Sequence, residues 1–165
     1  MTYTGPIPNT WAGMKSIRYI SISYNKLSGA VPEFLADMPH LESILLGGNK
    51  FSGKLPKSLG SLVHLSSLYL FQNELEGPIP EELGQCKSLH KILLNGNQLS
   101  GKLPDNLGQL NQLEELVVSC NVLEGTLPNA LERLENLQTL DLTNNRFTES
   151  KSMCVYIQLG WMAAC

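Results

Sequence analysis

The chain has 165 residues, of which 42% are hydrophobic and 16% charged, a composition typical of a folded domain with its own core. The formal net charge is -3, from 12 basic and 15 acidic residues without a basic run, which argues against a nucleic-acid partner. No stretch reaches the roughly 20 apolar residues of a membrane-spanning helix, and the N-terminus has no secretory signal pattern.

The chain opens with MTYTGPIP, and its Gly5 and Pro8 fall on positions that recur throughout the sequence. Glycine, proline and asparagine all return with a period of 24 residues. The recurring asparagines are Asn25, Asn49, Asn73, Asn97, Asn121 and Asn145. A fixed period in this range is the signature of a solenoid. The sequence therefore predicts about six 24-residue repeats over residues 1–148, starting in mid-repeat.

Each repeat begins with a short predicted strand, because leucines alternate as in Leu68 and Leu70. The asparagine that follows is expected to turn inward, where its amide can satisfy backbone groups left unpaired by the bend, so stacked asparagines would form a ladder. A second extended stretch ends at the proline. Leu83 and Cys86 then lie one turn apart, which predicts a short helical or 3₁₀ turn on the opposite side.

The last segment, residues 149–165, departs from this pattern. Glu149 and Ser152 stand where glycine and proline belong, so we expect a degenerate tail or half-repeat. The spacing of Cys154 and Cys165 leaves open both a disulfide and two free thiols.

The combined pattern L-x-x-L-x-L-x-x-N-x-L-x-G-x-[IVL]-P resembles the plant-type leucine-rich repeat over about residues 5–148. The resemblance implies an α/β solenoid: a right-handed superhelix with a parallel concave β-sheet and short 3₁₀ or helical segments on the convex side. It also implies a second strand in the Leu-x-Gly-x-Ile-Pro portion of each repeat. Family members include ectodomains of receptor-like kinases, receptor-like proteins and inhibitors of pathogen polygalacturonases, so the resemblance suggests an extracellular or cell-surface location.

The paired-cysteine caps typical of secreted family members are not recognisable in this sequence. We therefore expect a fragment of a longer receptor-like protein or a shortened gene product. Association through uncapped ends is a second expectation, because an open solenoid edge leaves apolar surface and unpaired backbone groups.

Residues able to support catalysis or metal binding are sparse. His40 and His64 share one position in consecutive repeats, but two imidazoles without a third ligand make a poor zinc site. His90 and Cys120 fall about 20 Å apart along the strand direction, which is too far for a catalytic dyad. Cys86 stands at a leucine position and is expected to be buried, whereas Cys120 is expected at an exposed strand exit. We predict no enzyme, no metal and no cofactor.

The side chains expected on the concave face form rows, because equivalent positions of successive repeats are neighbours. We predict a ligand-binding patch centred on Tyr69 and Phe71, whose aromatic rings would act as anchors ringed by polar groups. Its members are Tyr19, Leu45, Tyr69, Phe71, Lys91, Leu93, Asn95 and Val117. Gly47, Gly48 and Gly96 are expected to leave room for a ligand backbone. Strand propensity alone also favours tyrosine, valine and phenylalanine here.

Three functions remain open from the sequence. The first is a non-catalytic module that binds a protein or peptide, as a fragment of a receptor-like kinase ectodomain in signalling or defence. The second is an enzyme inhibitor of the polygalacturonase-inhibitor kind. The third is a scaffold repeat without a ligand of its own, which would lose no association when the patch is mutated.

Overall fold

The computed structural model describes residues 2–148, so the predicted tail over residues 149–165, with Cys154 and Cys165, lies outside the described residues. Over the described part the chain coils as a solenoid, with two parallel sheets connected by short 3₁₀ turns. The predicted fold class is confirmed in its parallel strands, in the second strand of each repeat and in its short turns.

One sheet has six parallel strands of three residues, one from each repeat. Their middle residues are buried while the residues on either side face outward, as the alternation of leucines predicts. Strands that follow each other along the chain are neighbours in the sheet, so the repeats stack in sequence order. The strands are Tyr19–Ser21, Ser43–Leu45, Ser67–Tyr69, Lys91–Leu93, Glu115–Val117 and Thr139–Asp141.

The other sheet has seven parallel strands, six of which begin directly after a repeat asparagine. These strands carry the Leu-x-Gly portion of the repeat, and their glycines adopt a positive φ, as Gly77 does at 74°. This backbone region is open to glycine at little cost. The strands are Thr4–Gly5, Lys26–Ala30, Lys50–Lys54, Glu74–Gly77, Gln98–Gly101, Val122–Thr126 and Arg146–Thr148.

Six 3₁₀ turns of five residues close the repeats on the side away from the six-stranded sheet. A proline precedes each turn, with φ between −64° and −70°. The pyrrolidine ring fixes φ near this value and removes an N–H that a first turn would leave unpaired. The turns are Asn9–Gly13, Glu33–Asp37, Lys57–Ser61, Glu81–Gln85, Asp105–Gln109 and Asn129–Arg133.

The core lies between the two sheets and the turns, and each repeat supplies it with the same set of apolar positions. In the repeat around Asn73 these side chains are all at most 3% exposed: Leu65, Leu68, Leu70, Leu75, Ile79, Leu83 and Cys86. Fully burying one leucine stabilises a fold by about 1.5–3 kcal/mol. A single repeat cannot enclose such a set alone, so the stack of repeats is what makes the core.

The repeat asparagines lie inside the bend between the two strands. The Nδ2 group of Asn73 donates to the Leu70 carbonyl of its own repeat at 3.0 Å and to the Leu46 carbonyl of the preceding repeat at 3.2 Å. Its Oδ1 accepts from the Phe51 amide at 2.9 Å. The same pattern recurs at Asn49, Asn97, Asn121 and Asn145. Each amide thus satisfies backbone groups that no sheet pairs.

Candidate functional site

The outer face of the six-stranded sheet carries a row of apolar side chains, here called the apolar stripe: Leu45, Tyr69, Leu93 and Val117. The strand register places Leu45 beside Tyr69, Tyr69 beside Leu93, and Leu93 beside Val117. All four side chains are partly exposed. Adjacent strands lie about 4.8 Å apart, so the stripe is continuous over four repeats.

A second row on the same face is polar in its centre. Lys91 lies in register with Glu115, and its Nζ is 3.3 Å from the Glu115 carboxylate. The hydrogen bond and the charge of Glu115 raise the pKa of Lys91, with smaller effects from Tyr69 and Glu114. The predicted polar contact of Lys91 is thus already engaged within the protein, and its ammonium remains partly exposed beside the stripe.

Tyr19 begins this second row and belongs to a polar cluster that the sequence alone does not predict. Its hydroxyl donates to Glu42 at 2.8 Å, and the Arg18 guanidinium binds the same carboxylate at 2.5 Å. These hydrogen bonds, first from Tyr19 and then from Arg18, hold the pKa of Glu42 below its usual value. The Tyr19 ring is 57% exposed, so it still offers an aromatic surface at the first strand of the sheet.

Phe71 and Asn95 follow the strands, where backbone pairing continues: the Gln72 amide donates to the Asn95 carbonyl at 2.7 Å. The Phe71 ring lies directly against Gly47, since a Cβ at Gly47 would be 2.4 Å from its Cε1 atom. The expectation that Gly47 leaves room for a ligand backbone is therefore wrong, because the Phe71 ring already fills that space.

Tyr24 joins Phe71 across two repeats, and the two residues are here called the aromatic pair. The ring centroids are 5.8 Å apart and the ring planes are inclined by 58°. Tyr24 lies over Gly48, where a Cβ would come within 2.7 Å of its Cδ1 atom, so the space above Gly48 is also occupied. Tyr24 itself is 72% exposed. Tilted aromatic contacts of this kind add about 0.5–1.5 kcal/mol beyond burial.

The sequence does not predict the role of Tyr24, because comparing equivalent positions of successive repeats does not show contacts between different rows. The available signal was that Tyr24 occupies the position held by Gly48 and Gly96 in later repeats. Glycine at the next such position has no side chain, so it leaves space into which the Tyr24 ring can lie. Its φ of 57° is the left-handed conformation that the glycines also adopt.

Two carboxylates near the last two strands of the six-stranded sheet are here called the acidic end: Asp141, in the last strand, and Glu114, which immediately precedes the strand Glu115–Val117. Asp141 continues the stripe, in register with Val117, and its Oδ1 accepts from the amide and the hydroxyl of Thr143 at 3.1 and 2.8 Å. Burial opposes ionisation of Asp141, but hydrogen bonds from Thr143 and Ser119 outweigh it and lower the pKa of the carboxyl. Neither carboxylate is in an ion pair with a described residue.

The predicted poor metal and dyad candidates are separate from the stripe. His40 and His64 line a shallow groove with Arg18 and Glu42, and no group of three potential ligands lies together anywhere in residues 2–148. The Nδ1 atom of His90 is 2.7 Å from the Ser88 carbonyl oxygen. In the same range no helix is long and apolar enough to cross a bilayer.

The two described cysteines differ in environment, as the sequence predicts. Cys86 is buried and Cys120 is exposed. The Cys86 thiol donates to the Leu59 carbonyl at 3.1 Å, and burial raises its pKa to about 11. A thiol held neutral in this way is not a nucleophile at neutral pH.

Of the eight residues predicted to form the patch, the structure brings all eight to one face of the molecule. Leu45, Tyr69, Leu93 and Val117 share one row, Tyr19 and Lys91 share the next, and Phe71 and Asn95 lie just beyond the strand ends. A role in binding is a proposal, taken up below.

Profiles of the leucine-rich-repeat family match residues 16–38, 40–62 and 64–86 as single repeats and residues 87–147 as a longer array. No curated protein sequence matches the chain.

Solved structures of plant receptors are similar to this fold. The LRR ectodomain of the Arabidopsis thaliana receptor kinase GASSHO1/SCHENGEN3, in complex with CASPARIAN STRIP INTEGRITY FACTOR 2, has a TM-score of 0.87 and 36% identity over 88% of this chain and 18% of that chain. A chain of the Arabidopsis HAESA complex with the peptide hormone IDA and the co-receptor SERK1 has a TM-score of 0.85 and 35% identity, over 88% of this chain and 24% of that chain. This protein thus spans 18–24% of the length of those two chains.

A chain of the Arabidopsis thaliana BIR3–SERK2 complex is matched over more of its own length. It has a TM-score of 0.71 and 32% identity, over 80% of this chain and 70% of that chain. Together with repeat profiles that run from residue 16 to residue 147, these matches show that the chain belongs to the plant-type leucine-rich-repeat family.

Proposed function

We propose that this protein recognises a peptide, or an extended segment of a protein, on the outer face of its six-stranded sheet. The observation that carries the proposal is the apolar stripe, with four partly exposed apolar side chains on four adjacent strands. The core already takes up the opposite face of these strands, so nothing in the fold requires apolar residues on this one. A contiguous apolar row facing water favours a partner surface.

The surroundings of the stripe support the same proposal. Tyr69 and Phe71 provide aromatic surface at its centre, and Lys91 and Asn95 provide polar groups beside them. Aromatic residues carry a large share of binding energy in protein interfaces, while adaptable polar groups around them fix orientation and exclude water.

The similar structures support a ligand of peptide type. The HAESA structure holds the peptide hormone IDA, and the GASSHO1/SCHENGEN3 ectodomain was solved with CASPARIAN STRIP INTEGRITY FACTOR 2. By analogy with these receptor kinases, we propose that recognition by this chain serves signal reception, at the cell surface or outside the cell, without a catalytic step of its own.

The experiment is selection of a random displayed peptide library against the full chain, followed by measurement of the dissociation constant of a selected peptide. Tyr69→Ser removes the central ring of the stripe. Val63→Ser is the matched control, because Val63 is a 58% exposed apolar residue that lies after the 3₁₀ turn and away from the stripe.

We expect Tyr69→Ser to weaken binding at least tenfold, since truncating a hot-spot aromatic costs about 2 kcal/mol or more, and Val63→Ser to leave it unchanged. Circular dichroism of each variant checks the fold. Equal binding by wild type and Tyr69→Ser, with both folded, contradicts the proposal.

A further inference from the structure

We propose that the ligand is an extended peptide with an apolar side chain at one position and a basic side chain four residues away. This inference rests on the proposed function and specifies the class of ligand that the face takes. It follows from two unlike parts of the same face: aromatic rings around Tyr69, and carboxylates without an ion pair near the last two strands.

The aromatic part of the face consists of Tyr69 and the aromatic pair. Tyr69 and Phe71 lie two residues apart on the same side of the chain, and Tyr24 extends the aromatic surface from two repeats earlier. Phe71 and Tyr24 contact each other because Gly47 and Gly48 leave space for their rings, and Tyr69 lies two residues before Phe71. An aromatic surface of this kind favours contact with an apolar side chain of the ligand, whereas the Asp141 carboxylate does not.

The charge of the face is unequal along its length. Its basic groups, Arg18 and Lys91, are each neutralised by a glutamate of the next repeat. The carboxylates of Glu114 and Asp141 remain without an ion pair in the described part of the chain. Asp141 belongs to the last strand of the sheet and Glu114 immediately precedes the strand before it, so negative charge collects at that end.

Among the described residues of this face, the acidic end is where a basic ligand side chain would meet carboxylates that are not in an ion pair. The hydrogen bonds that Thr143 donates to Asp141 fix the position of the carboxylate, and Asp141 lies in register with Val117. Electrostatic complementarity of this kind sets the orientation of a ligand and suppresses wrong partners.

The spacing between the two ligand side chains follows from the register. Tyr69, Leu93, Val117 and Asp141 are in line on four consecutive strands, so Tyr69 and Asp141 are separated by three strand steps. At about 4.8 Å for each step the separation is about 14 Å. An extended peptide rises about 3.3 Å per residue and places residues i and i+4 on the same side about 13 Å apart. The apolar and basic side chains therefore fit at this spacing.

The test uses the same library selection at low and at raised salt, with sequencing of the selected peptides. The variant is Glu114→Gln together with Asp141→Asn. Its control is Glu132→Gln together with Glu135→Gln, which removes the same charge from the exposed 3₁₀ turn and the residues after it. A third variant, Asp141→Lys, reverses the charge in the row.

We expect peptides selected by the wild type and by the control to pair an apolar residue with Lys or Arg four positions away. Their affinity for the Glu114→Gln, Asp141→Asn variant should fall about two- to fivefold, as for exposed ion pairs, and less at raised salt. Asp141→Lys should select acidic residues at the same spacing.

Peptides that depend on Tyr69 but lack a basic preference, or bind the neutralised variant equally well, would overturn this inference and leave the proposed function standing. A selection in which no peptide distinguishes the wild type from Tyr69→Ser would overturn the proposed function together with it.

Discussion

A side-chain amide joins two turns of the solenoid at each repeat asparagine. Asn73 contacts the backbone of its own repeat at Leu70 and Phe71 and that of the preceding repeat at Leu46 and Phe51. The asparagine is 8% exposed, so water does not replace these bonds when the side chain is removed.

We expect Asn73→Ala to lower the free energy of unfolding by about 1–3 kcal/mol, because buried carbonyl and amide groups lose their partner. Asn25→Ala is the matched control. Among the described residues the Asn25 amide donates only to Ile22 and Ser23 of its own repeat, and its one bond to the preceding turn, from the Tyr3 amide to Oδ1, is exposed, so we expect a smaller loss. Urea unfolding followed by circular dichroism measures both. Equal losses of unfolding free energy in the two variants would contradict the view that the buried Asn73 amide stabilises the contact between repeats.

The Cys86 thiol gives a second residue-scale prediction, on the dependence of stability on pH. Its pKa is raised by burial from the ordinary 9.0 to about 11. A group whose pKa is raised in the folded state stabilises that state below its unfolded pKa and ceases to do so as pH rises through the folded value. Stability should therefore fall between pH 9 and pH 11, by on the order of 2 kcal/mol from this group.

Cys86→Leu separates that contribution from those of all other groups, which the two proteins share. Leucine occupies the equivalent position at Leu62 and Leu110, so the variant keeps the column of buried apolar side chains. Unfolding free energies at pH 8 and pH 10.5 should decline less in Cys86→Leu than in the wild type. An identical decline in both proteins would refute the assignment.

At the residue scale, the sequence predicts where a residue lies within its repeat better than it predicts which residues its side chain contacts. The period alone puts Asn73 at the inner bend, since only a residue with a structural task recurs at one place in every repeat. The contact between Phe71 and Tyr24 could not be predicted, because it joins residues two repeats apart through a gap that depends on Gly47 and Gly48. For the same reason the sequence does not predict that the Phe71 ring fills the space above Gly47.

At the scale of elements, close stacking of the 3₁₀ turns depends on glycine. A Cβ at Gly60, Gly84 or Gly108 would lie 2.4 Å from a carbonyl oxygen of the next turn. A backbone oxygen cannot swing aside as the end of a side chain can, so adding a methyl group must push the two turns apart.

Gly84→Ala should therefore lower the free energy of unfolding by about 1–3 kcal/mol, the usual cost of overpacking. Gly13→Ala is the control, because a Cβ at Gly13 meets no atom within 4 Å. That change should be neutral or stabilising by up to about 1 kcal/mol through the unfolded chain. Thermal unfolding of the two variants distinguishes them, and a stable Gly84→Ala would show that the turns are not in close contact.

The turns themselves could be predicted from the one-turn spacing of Leu83 and Cys86 and from the proline before them. The steric requirement at Gly84 could not. Ala12 and Ala36 stand at the equivalent positions of the first two turns, so the sequence makes glycine look optional there. Only the distance between neighbouring backbones reveals where it is required.

At the scale of the whole molecule, a strict period fixes the architecture because every position becomes a column. Once Leu68 and Leu70 are assigned to the core, Tyr69 must face outward, and its neighbours in the column follow from addition of 24. The apolar stripe can therefore be predicted from the sequence. The unequal distribution of charge on the face cannot, because it depends on which carboxylates are already in ion pairs, as Glu115 is with Lys91.

The central claim is that a ligand lies along the apolar stripe, and methyl NMR of the full chain tests it most directly. A peptide selected against the wild type is titrated into protein with labelled leucine and valine methyl groups. We predict chemical-shift changes at Leu45, Leu93 and Val117, on three strands of the six-stranded sheet, with Val63 unchanged. Saturating shifts at Val63, with the three stripe residues unaffected, would contradict the account.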